Sequence, residues 1–418
     1  MQAQKTNTLP IPTYMIALLF YAVIIFFVQL SDGIMSYIAP VFIEDKVQNP
    51  LIMGAILSSS SIFGIICDAL FPNLFRAKRH LFFLWNTIII ASLFPVIFLF
   101  FPHIIPSFIL AMAIWGVYFE FMLFSNSYFI EAFISIQRHG LAWGVISTFR
   151  ALSLFIAPLI APYLLDKGSH HPLIMSIIFL AVGMLGILIF KKLFPHKKRA
   201  VINEVVSKRY SFNKELAIWR ILFHKLWPLY IFLLSAVVLE ASMFSVGVLA
   251  TEDLRQQSVW GGSLLAAHVL PNIFTGLMVQ KLGSQLGKKK LAFYAGGIGG
   301  VLFFVATQMP TPMLMVLTVF VASCFTSITY PAIMAVMQDY VTRLGSFGSE
   351  MVGLQNAAGS MAYIIGPTLA GGLSLFFGNL PTIGMIGLLF GLVSLLNVLI
   401  VPRKIKMPQK ALIGLPIE

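Results

Sequence analysis

The stretch MIALLFYAVIIFFVQLSDGIMSYIAP, residues 15–40, carries a single charged side chain, Asp32. A helix needs about 20 mostly apolar residues to cross the hydrocarbon core of a bilayer, and this run is longer. It lacks the polar–apolar alternation of a membrane β-strand. The run continues to 42, and eleven further runs of the same kind follow, at 49–71, 81–101, 106–131, 140–164, 172–193, 227–250, 258–280, 290–309, 312–338, 349–377 and 380–401. Lipid cannot satisfy free backbone groups, so the expected fold class is an all-α integral membrane protein of 12 transmembrane helices.

Composition agrees. Of 418 residues, 59% are hydrophobic and 10% charged, against about 25% charged in a soluble domain. The formal charge of +13 would suggest nucleic acid in a soluble protein. Here the bases lie between apolar runs, so topology explains them and no nucleic-acid partner is expected. Cys67 and Cys324 both fall inside apolar runs, which implies no disulfide framework. The first ten residues lack the layout of a cleaved signal, so the first apolar run is expected to stay as a membrane helix.

Lys and Arg set the sides. With both termini cytoplasmic, 24 of the 28 bases fall on the inner side and three on the outer: Lys46, Lys167 and Arg255. Arg150 remains inside a span. The expected location is the cell (inner) membrane.

The halves of the chain repeat. Asp32, Glu44 and Asp45 align with Glu240, Glu252 and Asp253 at an offset of 208. Gly54 with Gly262 and Glu131 with Asp339 share that offset, and Gly144 and Pro158 align with Gly353 and Pro367 at 209. The reading is a six-helix bundle at 1–193, a cytoplasmic linker at 194–226 and a second bundle at 227–418. Ser211 to Trp227 mixes apolar and basic residues, which suits either an interfacial helix or a partly ordered linker.

Twelve spans in two parallel six-span halves, with a basic central loop, resemble the major facilitator superfamily (MFS) across essentially the whole chain. The family's motif between spans 2 and 3 is G-x-x-x-D-R-x-G-R-R. Gly64 and Asp68 fit its start, with bases following late at Arg76, Lys78 and Arg79. Gly287, Lys288 and Lys289 fit its end in the second half, where Ser284 and Gln280 depart from it. The resemblance implies pairing of these bases with Glu131 and Asp339 at the inner ends of spans 4 and 10, holding an inner gate shut. They could instead only fix topology. The fifth-span antiporter motif G-x-x-x-G-P-x-x-G-G is echoed by Ala157-Pro158 and Ala161-Pro162. Span 11 holds a better copy in Gly366-Pro367 with Gly371 and Gly372.

An ionisable residue at the centre of a spanning helix costs about 2.5–3.5 kcal/mol on insertion scales. Asp32, Glu120, Arg150 and Glu240 stand out. Glu120 and Arg150 sit at matching depths, roughly 16 and 15 Å from the inner ends of spans 4 and 5 at 1.5 Å per residue, and are expected to pair. Lactose permease is similar in placing a glutamate and an arginine on these spans. Asp32 and Glu240 are related by the repeat, on spans that line the cavity in this family, and suit proton binding. Each could instead accept a neighbour's hydrogen bond and never titrate. His268 is a candidate proton carrier or a packing histidine. Asn126, Gln355, Asn356 and Tyr363 are polar positions on expected cavity helices.

The expected function is secondary transport of a small organic solute by alternating access, coupled to protons. Asp32 with Pro40 eight residues on looks like the drug-efflux branch; uptake of a sugar-like or zwitterionic nutrient is the alternative, as is a receptor that does not transport. A membrane enzyme would need a polar His, Asp or metal arrangement, and His170-His171 has no partners of suitable spacing. No cofactor or metal is called for. The expected partners are solute, protons and membrane lipid, and the chain is expected to act as a monomer.

Overall fold

The computed structural model describes residues 11–74, 80–101, 104–135, 138–194, 212–275, 287–402, 405, 408–409 and 412. Its elements are α1 (Ile11–Val47), α2 (Pro50–Leu74), α3 (His80–Phe100), α4 (Ile105–Phe133), α5 (His139–Asp166), α6 (His170–Leu193), α7 (Phe212–Met243), α8 (Val246–Gln257), α9 (Leu264–Val269), α10 (Lys288–Ala306), α11 (Pro312–Leu344), α12 (Gly348–Phe377) and α13 (Asn379–Ile400). Single 3-10 turns flank α9 at Gly261–Ser263 and Leu270–Ile273. Among the described residues, 11 helical stretches are long and apolar enough to cross a membrane, and the fold is all-helical.

Two expectations change. The eighth predicted span, 258–280, is broken over its described part into α9 and its 3-10 turns; its end lies outside the described residues. Pro271 lacks a backbone donor and contributes to the irregularity. The supposed interfacial helix is instead the start of α7, which runs unbroken from Phe212 to Met243. Ile218, Leu222 and Leu226 recur every four residues and are fully buried. That stripe packs into the protein rather than against a membrane surface.

Within the first six helices, α1 packs on α5 and α6, α3 on α4 and α6, and α2 on α4. Among the later ones, α7 packs on α12 and α13, and α10 on α11 and α13. The two sets meet where α2 lies against α12, α5 against α9, and α1 against α8. Small residues make the closest approaches. A Cβ on Gly300 of α10 would stand 2.5 Å from the Gly387 carbonyl oxygen and the Gly391 nitrogen of α13. Lipid chains are as apolar as leucine, so helix association relies on such close packing.

Those clashing atoms are backbone and cannot swing aside. Gly300→Leu is expected to destabilise the protein by about 1–3 kcal/mol or more, visible as a lowered unfolding temperature of the detergent-purified protein. An unchanged melting curve would contradict the α10–α13 contact.

Candidate functional site

Arg150 lies midway along α5 and is exposed, yet residues of several helices surround it. Its guanidinium is within coulombic range of Asp32 on α1, Glu240 on α7, Tyr118 on α4, Tyr330 on α11 and Tyr363 on α12. A side chain ringed by helices from both sets and still exposed faces an internal hollow rather than lipid. Tyr330 and Tyr363 are 50% and 40% exposed, so they border the same space.

The two acids are held differently. Asp32 is buried, and the Trp115 Nε1–H donates to its Oδ1 at 2.6 Å. Glu240 is half-buried, and its carboxylate makes no hydrogen bond or ion pair among the described residues. Behind Asp32, Gln29 Nε2 donates to the Tyr118 hydroxyl at 2.8 Å, fixing that phenol. The structure thus brings together Asp32, Arg150, Glu240 and Tyr363, four of the residues singled out in the sequence.

The expected Glu120–Arg150 pair is not formed: no ion pair within 4.0 Å joins them. Glu120 faces α2 instead, its Oε1 3.5 Å from where a Cβ on Gly64 would stand. The reason is helical geometry. α4 packs broadly on α2 and α3 and barely on α5. Residues two apart on a helix point about 160° apart, so Tyr118, not Glu120, turns towards Arg150.

Asn126 is corrected too. It accepts from the Tyr21 hydroxyl at 2.9 Å, between α1 and α4, with Tyr21 stacked 3.8 Å from the Phe129 ring. His268 likewise packs inside the later helices, its Nδ1 2.9 Å from the Ser323 hydroxyl and its ring edge-on to Phe303. Neither borders the hollow. Gln355 is buried and Asn356 exposed, about two turns before Tyr363 on α12.

The hollow is closed at one end. That end carries the helix termini near Val47, Asp166, Gln257 and Phe377, and is poor in Lys and Arg. There Ser58 of α2 donates to the Ile364 carbonyl of α12 at 2.7 Å and lies 2.9 Å from the Thr368 hydroxyl. A Cβ on Gly54 would collide with the Pro367 carbonyl, and one on Gly371 with the Pro50 carbonyl. The Tyr37 hydroxyl donates to Glu252, Arg255 Nε donates to Glu252 at 2.8 Å, and Arg255 Nη1 donates to Asp166 at 2.8 Å. This chain links α1, α8 and α5. Every hydrogen bond or ion pair between described residues of the two helix sets lies at this end.

At the opposite, basic end, among the described residues, no hydrogen bond or ion pair joins the two helix sets, and this end reads as the opening. A Cβ on Gly144 of α5 or Gly359 of α12 would meet nothing within 4 Å. Lys288 pairs with Asp339 there at 2.8 Å, as the resemblance implied. The pair joins α10 to α11 and does not cross the opening. Lys289 differs, donating to the Pro402 carbonyl at 2.7 Å. Glu131 is exposed near the end of α4. Arg76, Lys78, Arg79 and the Asp68 side chain lie outside the described residues.

Sequence reasoning missed Trp115, Tyr118, Tyr330, Tyr37 and Ser58. A signal existed for the first two. Trp and Tyr gather at membrane interfaces, so a Trp and a Tyr three apart in mid-span mark a polar interior.

The family model described as Major Facilitator Superfamily matches residues 21–349 and 256–413. The chain belongs to the major facilitator superfamily. It is therefore a multi-pass membrane transporter rather than an enzyme. Solved structures share the fold of this MFS protein. One is a peptide transporter, POT, at 14% identity and TM-score 0.70, covering 91% of this chain and 94% of that one. Another is the nucleoside transporter NupG, at 13% identity and TM-score 0.70, covering 95% and 99%. A third is the human organic anion transporter MFSD10, at 14% identity and TM-score 0.61, covering 92% and 100%. No curated protein sequence matches the chain.

Partly exposed ion pairs contribute about 0.2–1 kcal/mol. Arg255→Gln or Asp166→Asn is therefore expected to raise opening of the closed end by up to about fivefold. Maleimide labelling of a cysteine placed at Thr368, in a chain lacking Cys67 and Cys324, reports this; unaltered labelling in both variants would show that the link does not hold that end.

Proposed function

We propose that this MFS protein is a proton-coupled carrier of a small organic solute, with its solute site at Arg150 and its proton sites at Asp32 and Glu240. The observation that carries the reading is the placement of one arginine within coulombic range of two acids that belong to different helix sets. A group held between the sets feels every change in their separation. Rocking one set against the other changes the distances from Arg150 to Asp32 and Glu240. Each acid then alternates between a state that favours its anion and one that favours its proton. A proton moving with the solute gains about 2.3 kcal/mol per 100 mV of membrane potential.

The internal repeat supports a division into two bundles, the first ending with α6 and the second opening with α7. Asp32 and Glu240 stand at equivalent positions, and so do Gly54 and Gly262. The concentration of Lys and Arg at the open end supports placing that end, and both termini, in the cytoplasm. On that placement the protein is open to the inside, with Ser58, Tyr37, Glu252, Arg255 and Asp166 closing the outside. The Lys288–Asp339 pair then acts as a strut that keeps α10 and α11 together in this state.

A cationic drug would seat on Asp32 and Glu240, whereas a solute that carries oxygens as well engages the Arg150 guanidinium. Peptide, nucleoside and organic anion transporters appear among the structural neighbours, and all three solute classes are polar. They agree with a site built from an arginine, acids and phenols.

Asp32→Asn is expected to abolish accumulation driven by a pH gradient in proteoliposomes while leaving counterflow of the solute at equal pH within about twofold of the unmodified protein. Undiminished pH-driven accumulation in this variant would refute the coupling role. The direction of the pH gradient that drives accumulation distinguishes symport from antiport.

A further inference from the structure

We infer that the solute carries an oxyanion, a carboxylate or phosphoryl group, that seats on Arg150; this rests on the carrier reading above. The observation is the isolation of the guanidinium. Arg150 sits in mid-span and is exposed to the hollow, and among the described residues neither a hydrogen bond nor an ion pair within 4.0 Å occupies any of its five N–H groups. A structural arginine in this protein looks different. Arg255 has its Nε on Glu252 and its Nη1 on Asp166. Two carboxylates are within coulombic range of Arg150, and neither closes on it. Asp32 is engaged by Trp115, and Glu240 is held on the far set of helices.

The surroundings fit an anion. The exposed phenols of Tyr330 and Tyr363 make no hydrogen bond in this structure, and each has an O–H to donate. Together with the planar guanidinium fork they supply donors from α5, α11 and α12. A guanidinium binds two oxygens of one carboxylate or phosphoryl group at once, which gives direction as well as strength. A neutral solute offers no charged oxygens to the fork, and a cation would seat on the acids and leave the guanidinium's donors unused.

Charge balance links the inference to protons. The site holds one cation and two acids. An entering anion adds negative charge beside Asp32 and Glu240, so its binding draws a proton onto one of them. Anion affinity is therefore expected to rise as pH falls.

The test is a binding panel on the purified, full-length protein at two pH values, read by thermal stabilisation and calorimetry. The probes are short and aromatic carboxylates, amino acids, dipeptides and sugar phosphates, each beside its amide-capped or dephosphorylated counterpart. The expected result is an anionic probe that binds at least about tenfold more tightly than its neutral counterpart, more tightly at lower pH. Hydrogen bonds to charged groups contribute about 1.5–3 kcal/mol, so Arg150→Gln should erase that difference. Arg150→Lys should keep part of it, since one charge remains without the fork. Co-elution of both variants with the unmodified protein on size exclusion establishes folding.

The inference is overturned if no anionic probe outperforms its neutral counterpart, or if Arg150→Gln binds the anion as well as before. Uptake of a neutral or cationic probe into proteoliposomes, with anions excluded, would sink the anion assignment and leave the carrier reading standing. An anion that binds through Arg150 without any probe crossing would do the reverse.

Discussion

An ionised side chain in mid-membrane must meet water, a counter-charge or hydrogen bonds, or its cost falls on the fold as about 2.5–3.5 kcal/mol. Arg150 makes the demand most plainly, since it cannot neutralise itself by losing a proton. The structure answers with space. α5 presents Arg150 to a hollow bordered by α1, α4, α7, α11 and α12, and the acids of α1 and α7 soften the field without occupying its donors. A carrier needs this arrangement, because a guanidinium locked into a permanent pair would have nothing left for a solute.

The same economy of charge explains the closed end. Asp166, Glu252 and Arg255 pair where water and neighbouring polar groups are at hand, and Tyr37 ties them to α1. Each contact there is individually modest. The α2–α12 seam is different in kind. Gly54 and Gly371 let backbone meet backbone, and Ser58 adds hydrogen bonds across the seam. Dispersion contacts at this range are numerous and short-ranged, so the seam is either fully made or lost. That all-or-none character suits a gate that must have two states.

Polar residues off the hollow have a separate role. Tyr21 with Ser125 and Asn126, Ser31 with Ser176, and His268 with Ser323 each join two helices inside one set. Such bonds contribute modestly in a bilayer, on the order of 0.6 kcal/mol. They orient helices within each set. Polar character alone therefore does not mark a transport residue; what separates Arg150 and Glu240 from His268 is that they lie within coulombic range of each other across the two helix sets, whereas His268 is buried inside one.

From the sequence alone came the spans, the repeat and the charges that had to be explained, because hydrophobic length and the cost of a buried charge act locally along the chain. Asp32, Arg150 and Glu240 stood out for that reason, Tyr363 as a polar position in a span, and the Lys288–Asp339 pairing followed from the family resemblance. Which face each helix turns to its neighbours was not legible, since apolar residues surround every helix in a bilayer and leave no amphipathic stripe to read. Tertiary packing alone decided that Glu120 looks at α2 while Tyr118 looks at Arg150, that His268 bonds to Ser323 and Asn126 to Tyr21, and that α7 begins at Phe212. The closure at Ser58, Tyr37 and Arg255 belongs with these. It joins residues hundreds of positions apart, and no local rule brings them together.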